Sequence, residues 1–259
     1  ALQIFDLTNP VSPTLVGLWQ LTDEPNQDTP EPTQEPVAEP TQEPGVEPTQ
    51  TRCVAPVPKT GQTDGYAGSH NDDGALQKGV AWSTPRFITS TTGIVTDTLT
   101  GLIWLQNANC FGKRTWDQAL ADANELASGI CGLSDGSVAG DWRLPNVHEL
   151  QSLVHYGFFN PDVPNTAGTG QRTERDPFIG VQSDIYRSST TVASNAANAW
   201  SVGMSLGYTG GDSIYSDKTG AGYVWSVRGG GDVITETRSV APVPKTGQTH
   251  SYGTRDDGA

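Results

Sequence analysis

The chain has 259 residues, with 15 Lys+Arg against 29 Asp+Glu and a formal net charge of −14. That negative surplus argues against a nucleic-acid binder or a peripheral binder of anionic membranes, both of which need a basic stripe. No apolar run approaches the roughly 18 residues of a membrane-spanning helix, so no membrane insertion is expected. The first residues, ALQIFDL, do not read as a secretory leader, and none is expected in this stretch.

The charge is uneven. Residues 1–52 carry a net −8, residues 53–230 a net −5 and residues 231–259 a net −1. Gly (30) and Pro (18) together point to a turn-rich chain, and only 17% of residues are charged.

Residues 1–20 contain two strand-like runs, at Leu2–Phe5 and Thr14–Trp19, separated by the turn signal Thr8-Asn9-Pro10. Two strands bury too little to stand alone. The expectation is a β-hairpin-like segment of an upstream unit. LQIFDLTNPVSPTLVG resembles an edge of an LVIVP-type β-propeller repeat; the alternative is a hairpin docked on the next domain.

Residues 21–52 are an acidic, Pro-rich spacer. EPTQEPVA, EPTQEPGV and EPTQ follow one another with a period of eight. Proline at every fourth place, with almost no apolar side chain, cannot build a core and predicts extended polyproline II. The spacer is either a solvated tether or a strap held by a neighbouring subunit. Thr29, Thr33, Thr41 and Thr49 are reasonable glycosylation acceptors.

Residues 53–230 are the folded unit. FITSTTGIVTDTLTGLIWLQNA reads as short strands broken by Thr-Gly turns. TWDQALADANELASG reads as a helix, with Trp116, Ala119, Leu120, Ala123, Leu126 and Ala127 on one face. Thr115 and Gln118 form a capping box, and Gly129 is the expected stop. A second short helix is capped by Asn146, with Glu149 at its third position and Val147, Leu150, Leu153 and Val154 on the buried side. IYRSSTTV, AWSVGMSLGY, SIYSDK and GYVWSVRG follow as antiparallel strands. Two helices and a multi-strand sheet predict the α+β class.

Residues 231–259 are a connector and the first strand of a following repeat. VAPVPKTGQT at 54–63 returns unchanged at 240–249, an offset of 186 residues. Both copies run through a Tyr (Tyr66, Tyr252) to Asp-Asp-Gly-Ala, at 72–75 and 256–259. Such a repeat implies a tandem array, or a tail that occupies a site in the next molecule.

VAPVPKTGQT, DDGALQKGVAW, VTDTLTGLIWLQNANC, CGLSDGSVAGDWRLPNVHELQSLV, YRSSTT and YVWSVRGG together resemble the Lcl C-terminal domain family over about residues 54–230. The resemblance implies a C-type-lectin-like fold with two helices, a twisted antiparallel sheet and chain ends that meet. It implies an extracellular adhesive role on bacteria, with trimeric or repeated assembly in some members, and it supplies no catalytic residues. Tyr186-Arg187-Ser188-Ser189 departs from the Tyr-Trp-Ser-Ser of many relatives. Binding of sulfated polysaccharide, attributed to the family's founding adhesin, is not carried over, because a domain at net −5 offers no obvious cationic face.

Cys110 and Cys131 both sit in that resemblance and bracket the first helix. A disulfide there is expected; two reduced thiols are the alternative. Cys53 is left over and its repeat partner is Ser239, so it is a candidate for intermolecular pairing.

Catalytic signals are weak. No HExxH, zinc-type Cys pair or GxSxG occurs. His148, Glu149 and His155 read as ordinary helix-surface polarity, with metal ligation as the alternative, and no metal and no cofactor are expected. Lectin-fold formylglycine-generating enzymes use a cysteine pair; the domain has only Cys110 and Cys131, which read as structural, and fold alone does not license that activity. Of the calcium-and-sugar motifs of lectins, Glu24-Pro25-Asn26 occurs outside the domain and reads as a coincidence, and the domain itself has Trp200-Ser201-Val202 and Trp225-Ser226-Val227 where such lectins have Trp-Asn-Asp. Asn71-Asp72-Asp73-Gly74 and Asp135-Gly136 read as turns.

Tyr208 and Tyr215, flanking TGGDS, are candidate ligand or subunit contacts, as are Tyr186 and Arg187; partly buried packing is the alternative. Trp200 and Trp225 are expected in the core. The expected function is a non-enzymatic structural or adhesive module, a repeating subunit of a surface fibre or other homo-oligomer. The alternative is a monomeric or trimeric adhesin for a glycan or surface protein.

Overall fold

A computed structural model describes residues 2–6, 14–19, 57–65, 72–205, 208–209, 215–229, 241 and 243–258. The chain divides into a unit of residues 1–51 and a unit of residues 52–259. The spacer at 21–52 and Cys53 lie outside the described residues.

In the first unit, β1 (Leu2–Asp6) pairs antiparallel with β2 (Thr14–Trp19), with a register shift between Ile4 and Phe5. These are the two apolar runs expected as strands.

The second unit is α+β, with few helices and two mostly antiparallel sheets. It opens with a one-turn helix, α1 (Asp73–Leu76), capped by Asp72, whose side chain accepts from the Ala75 N–H at 3.1 Å. The acidic turn therefore caps a helix, as a short polar side chain at that position favours.

One sheet has four strands: β3 (Phe87–Thr89), β4 (Ile94–Asp97), β5 (Leu102–Leu105) and β12 (Val227–Gly229), in the order β12-β5-β4-β3. Gly93, at φ 87°, turns β3 into β4, and a Cβ there would sit 2.6 Å from the Gly132 carbonyl. Glycine is required at that turn on both counts.

The second sheet joins β6 (Lys113–Arg114), β7 (Ile185–Thr191), β8 (Asn198–Gly203), β9 (Tyr208–Thr209), β10 (Tyr215–Asp217) and β11 (Gly222–Tyr223). Its order is β10-β8-β7-β11-β6, with β9 also on β8. The β11–β7 contact, Tyr223 opposite Tyr186, is parallel.

The first full helix, α2 (Trp116–Glu125), has the expected Thr115–Gln118 capping box. It ends at Glu125 rather than at Gly129, because Leu126 turns extended (ψ 129°) to enter the core fully buried. Helix α3 (Val147–Ser152) has its Asn146–Glu149 capping box and is flanked by the buried Leu153 and Val154.

Between the sheets and α3 lies one main core. Trp225 stands at its centre, edge-on to Phe178 at 4.7 Å and to Trp104 at 5.7 Å between centroids. Its indole N–H donates to the Leu105 carbonyl at 2.8 Å, so its polar atom is satisfied as burial demands. Trp200, expected in the core, is only half-buried. It sits on β8 opposite Tyr215, with its β8 neighbours Ala199 and Ser201 buried.

Candidate functional site

The positions that set the site apart are the two copies of the repeated motif, each seated on the same domain.

Copy one runs along the strand-like residues before Trp82. Pro58 bridges Val80 in parallel: the Lys59 N–H donates to Val80 O at 2.9 Å and the Val80 N–H donates to Val57 O at 2.8 Å. The Trp82 indole donates to Lys59 O at 2.7 Å, and the Tyr156 N–H donates to Thr60 O at 3.0 Å. Gly61, at φ 89°, lies against the His155 ring, where any Cβ would collide.

His155 is 6% exposed, edge-on to Trp82 at 4.7 Å and stacked on Phe158 at 3.9 Å. Burial, and then the nearby Arg86 charge, hold its imidazole down to a pKa of about 4. Arg86 is itself fully buried, paired with Asp97 at 3.0 Å and stacked 4.1 Å over Trp82.

Copy two has a different seat, across α3 and β7. The Ala241 N–H donates to Leu99 O at 2.6 Å, and Val243 packs against the main core. The Pro244 carbonyl lies 3.2 Å from His148 Nδ1. The Thr191 N–H donates to Gln248 Oε1 at 2.7 Å. The Thr190 hydroxyl donates to Asp257 Oδ2 at 3.1 Å, and the Asp257 N–H donates to Ser189 O at 3.3 Å. These acceptors and donors are free because the β7–β8 ladder shifts register between Arg187 and Thr191. The same stretch anchors α3: the Ser189 N–H donates to Pro145 O and the Val147 N–H to Thr190 Oγ1. Gly253 lies flat on Trp116, where a Cβ would be 2.6 Å from the ring. Lys218 covers the Trp116 ring at 3.7 Å and donates to Thr191 Oγ1 at 2.8 Å.

A cavity of about 420 Å³ separates the two seats, with Val57 and Pro58 on one wall and Val243 and Pro244 on another. Trp82, Leu99 and Val154 make it largely apolar.

Tyr186 and Arg187, expected as candidate contacts, are both fully buried. The Tyr186 hydroxyl accepts from the Gln182 N–H, and its burial pushes the phenol up. Arg187 donates to the carbonyls of Arg114, Asp217 and Gly220. It is an interior tie between β6, β7 and the β10–β11 turn, and burial holds its pKa below the usual range. Tyr208 and Tyr215 lie on β9 and β10 opposite Gly203 and Trp200; the side chains and the loop between them are outside the described residues.

His148, Glu149 and His155 are not brought together. Glu149 is 5% exposed and clamps Arg143 through two 2.6 Å bonds while accepting from the Asn146 N–H. Among the described residues no three His, Cys, Asp or Glu are grouped to hold a metal. No helix among them is long and apolar enough to cross a membrane.

Cys110 and Cys131 form a disulfide, with Cα atoms 5.6 Å apart, across the base of α2. The sequence reading missed how completely the tail is held. The signal was present in Gln248 and Asp257, the counterparts of Gln62 and Asp73 in the repeated stretch.

The geometry defines a disulfide-stapled α+β domain that carries two copies of a repeated motif in two separate seats. The profile of the Lcl C-terminal domain matches residues 93–228, and the chain belongs to that family. No curated protein matches the chain, and no solved structure matches it.

Proposed function

We propose that the chain is a non-enzymatic extracellular module of a bacterial surface, a repeating subunit of a fibre or other homo-oligomer. Its core domain is C-type-lectin-like, and it works by contact with further copies of itself. The observation that carries the reading is the ten-residue motif present twice, with the described residues of both copies seated on one domain. A disulfide fits an oxidising, extracellular setting, and the acidic Pro-rich spacer fits a stalk between bodies.

The test is sedimentation velocity of the chain across a concentration series, with immunogold labelling of intact producing cells. Concentration-dependent oligomers and surface label support the reading. Solitary particles at high concentration, or label confined to the cell interior, contradict it.

The apolar cavity favours a second reading, an adhesin that takes a glycan or protein ligand. A glycan-array signal lost on Trp82→Ala or Tyr215→Ala, in a chain that stays monomeric, supports that alternative.

A further inference from the structure

The two copies of the motif fold alike. The Thr60 hydroxyl donates to Asp73, and the Thr246 hydroxyl donates to Asp257. The Gln62 N–H donates to Thr60 Oγ1 at 3.2 Å, and the Gln248 N–H to Thr246 Oγ1 at 3.3 Å. Gly61 and Gly247 share a left-handed backbone, at φ 89° and 84°. Gly74 presses on the Asp64 carbonyl as Gly258 presses on the His250 carbonyl. One local structure is therefore built twice.

What differs is the buried face. In copy one, Pro58, Lys59 and Gly61 are half-buried against Val80, Trp82 and His155, while Val57 is 74% exposed. In copy two the pattern inverts. Val243 packs on the core, while Pro244, Lys245 and Gly247 are exposed. No atom lies within 4 Å of a Cβ built on Gly247, and no partner is seen for the Lys245 N–H among the described residues. Copy one thus leaves its valine open where copy two packs it, and copy two leaves open the Pro-Lys-Gly edge that copy one packs. The contacts made by Val243, Gln248 and Asp257 are available to Val57, Gln62 and Asp73, which are identical in type.

We propose that the motif is a two-faced joint: its Lys-Gly face seats on the domain that follows it and its Val-Gln-Asp face on the domain before it, so that one copy is shared between two successive domains. The occupant of the open face of residues 243–258 is therefore a second copy of this domain, presenting its Val80–Trp82 edge and its His155. The inference rests on the reading that copies of the domain are joined, and it names the surface that joins them. An exposed Lys-Gly segment whose Lys245 N–H has no partner among the described residues is a ready edge for such pairing. Both seats, which border one cavity, are filled at once in this chain, so a domain can hold two copies without conflict.

The test is a two-domain chain in which residue 259 runs directly into a second segment 76–259, because DDGA at 256–259 occupies the place of 72–75. Small-angle X-ray scattering is expected to show a single fixed separation between the two bodies, unchanged by salt. Lys245→Pro removes the N–H whose counterpart, Lys59, pairs with Val80 O. It is expected to turn the fixed pair into a flexible one while leaving the unfolding midpoint of the one-domain chain unchanged. Val243→Asp is expected to release the same joint from its other side.

Two bodies that scatter as flexibly tethered beads without any substitution overturn the proposal. So does a fixed pair indifferent to both substitutions. A fixed, substitution-sensitive pair that never builds larger assemblies supports the joint and counts against the fibre reading. Fibres made of flexibly tethered pairs do the reverse.

Discussion

Acid should loosen the seat of the first motif copy through a single histidine. His155 is 6% exposed, packed by Trp82, Phe158 and Gly61, with the Arg86 cation nearby. Burial and that cation lower its pKa from 6.5 to about 4. The unfolded chain therefore binds a proton through this pH range that the folded chain refuses. Stability from this group is complete above pH 6.5 and falls as the pH drops toward 4. A displacement of about two and a half units corresponds to roughly 3 kcal/mol at most. The assay is urea unfolding from pH 7.5 to 4 of the native chain and of His155→Gln, which keeps a polar acceptor near the Gly157 N–H. Carboxylates contribute to both curves, so the difference between them isolates the imidazole. A histidine ring titrating near 6.5 by NMR, or parallel stability curves for the two proteins, would refute the reasoning.

Three further outcomes follow from the packing. Gly253→Val drives its side chain into Trp116, where a Cβ alone would be 2.6 Å from the ring, and should free residues 243–258; limited proteolysis should cut near residue 253 far faster while the domain stays intact. Cys110→Ser opens a loop with a sequence separation of 21 and should cost about 3 kcal/mol in denaturant unfolding. Arg187→Met strips three carbonyls of a fully buried donor and should cost on the order of 3 kcal/mol, with no change in self-association, since the residue is interior.

Much of the local architecture is legible in the residues because it rests on short-range chemistry. Thr115 with Gln118, and Asn146 with Glu149, announce two helix starts through side chains that reach only three residues. The Thr-Gly turns between β3, β4 and β5 are equally local. The end of α2 was not legible, because Leu126 leaves the helix to fill a core defined by residues far along the chain. Arg187 misled for the same reason. An arginine beside a tyrosine on a strand looks like surface, and only carbonyls from Arg114, Asp217 and Gly220, distant in sequence, make its burial tolerable. Trp200 looked like core by its alternation with apolar neighbours, yet it occupies the half-buried side of β8.

The repeat was visible as sequence, but its two seats were not. Both are made of pieces far from the motif: Val80, Trp82 and Tyr156 for one, and Leu99, His148 and Ser189–Thr191 for the other. Identity between copies fixes their internal fold. The different surfaces that receive them are a property of the whole domain.

The central claim is that this domain exists to be joined to copies of itself. Negative-stain electron microscopy of the assembled native material tests it most directly. The account predicts rows of domain-sized bodies at one constant repeat distance, with the Pro-rich spacer accessible to an antibody along their length. Scattered single bodies with no repeat distance, at concentrations well above those on a cell surface, would contradict it.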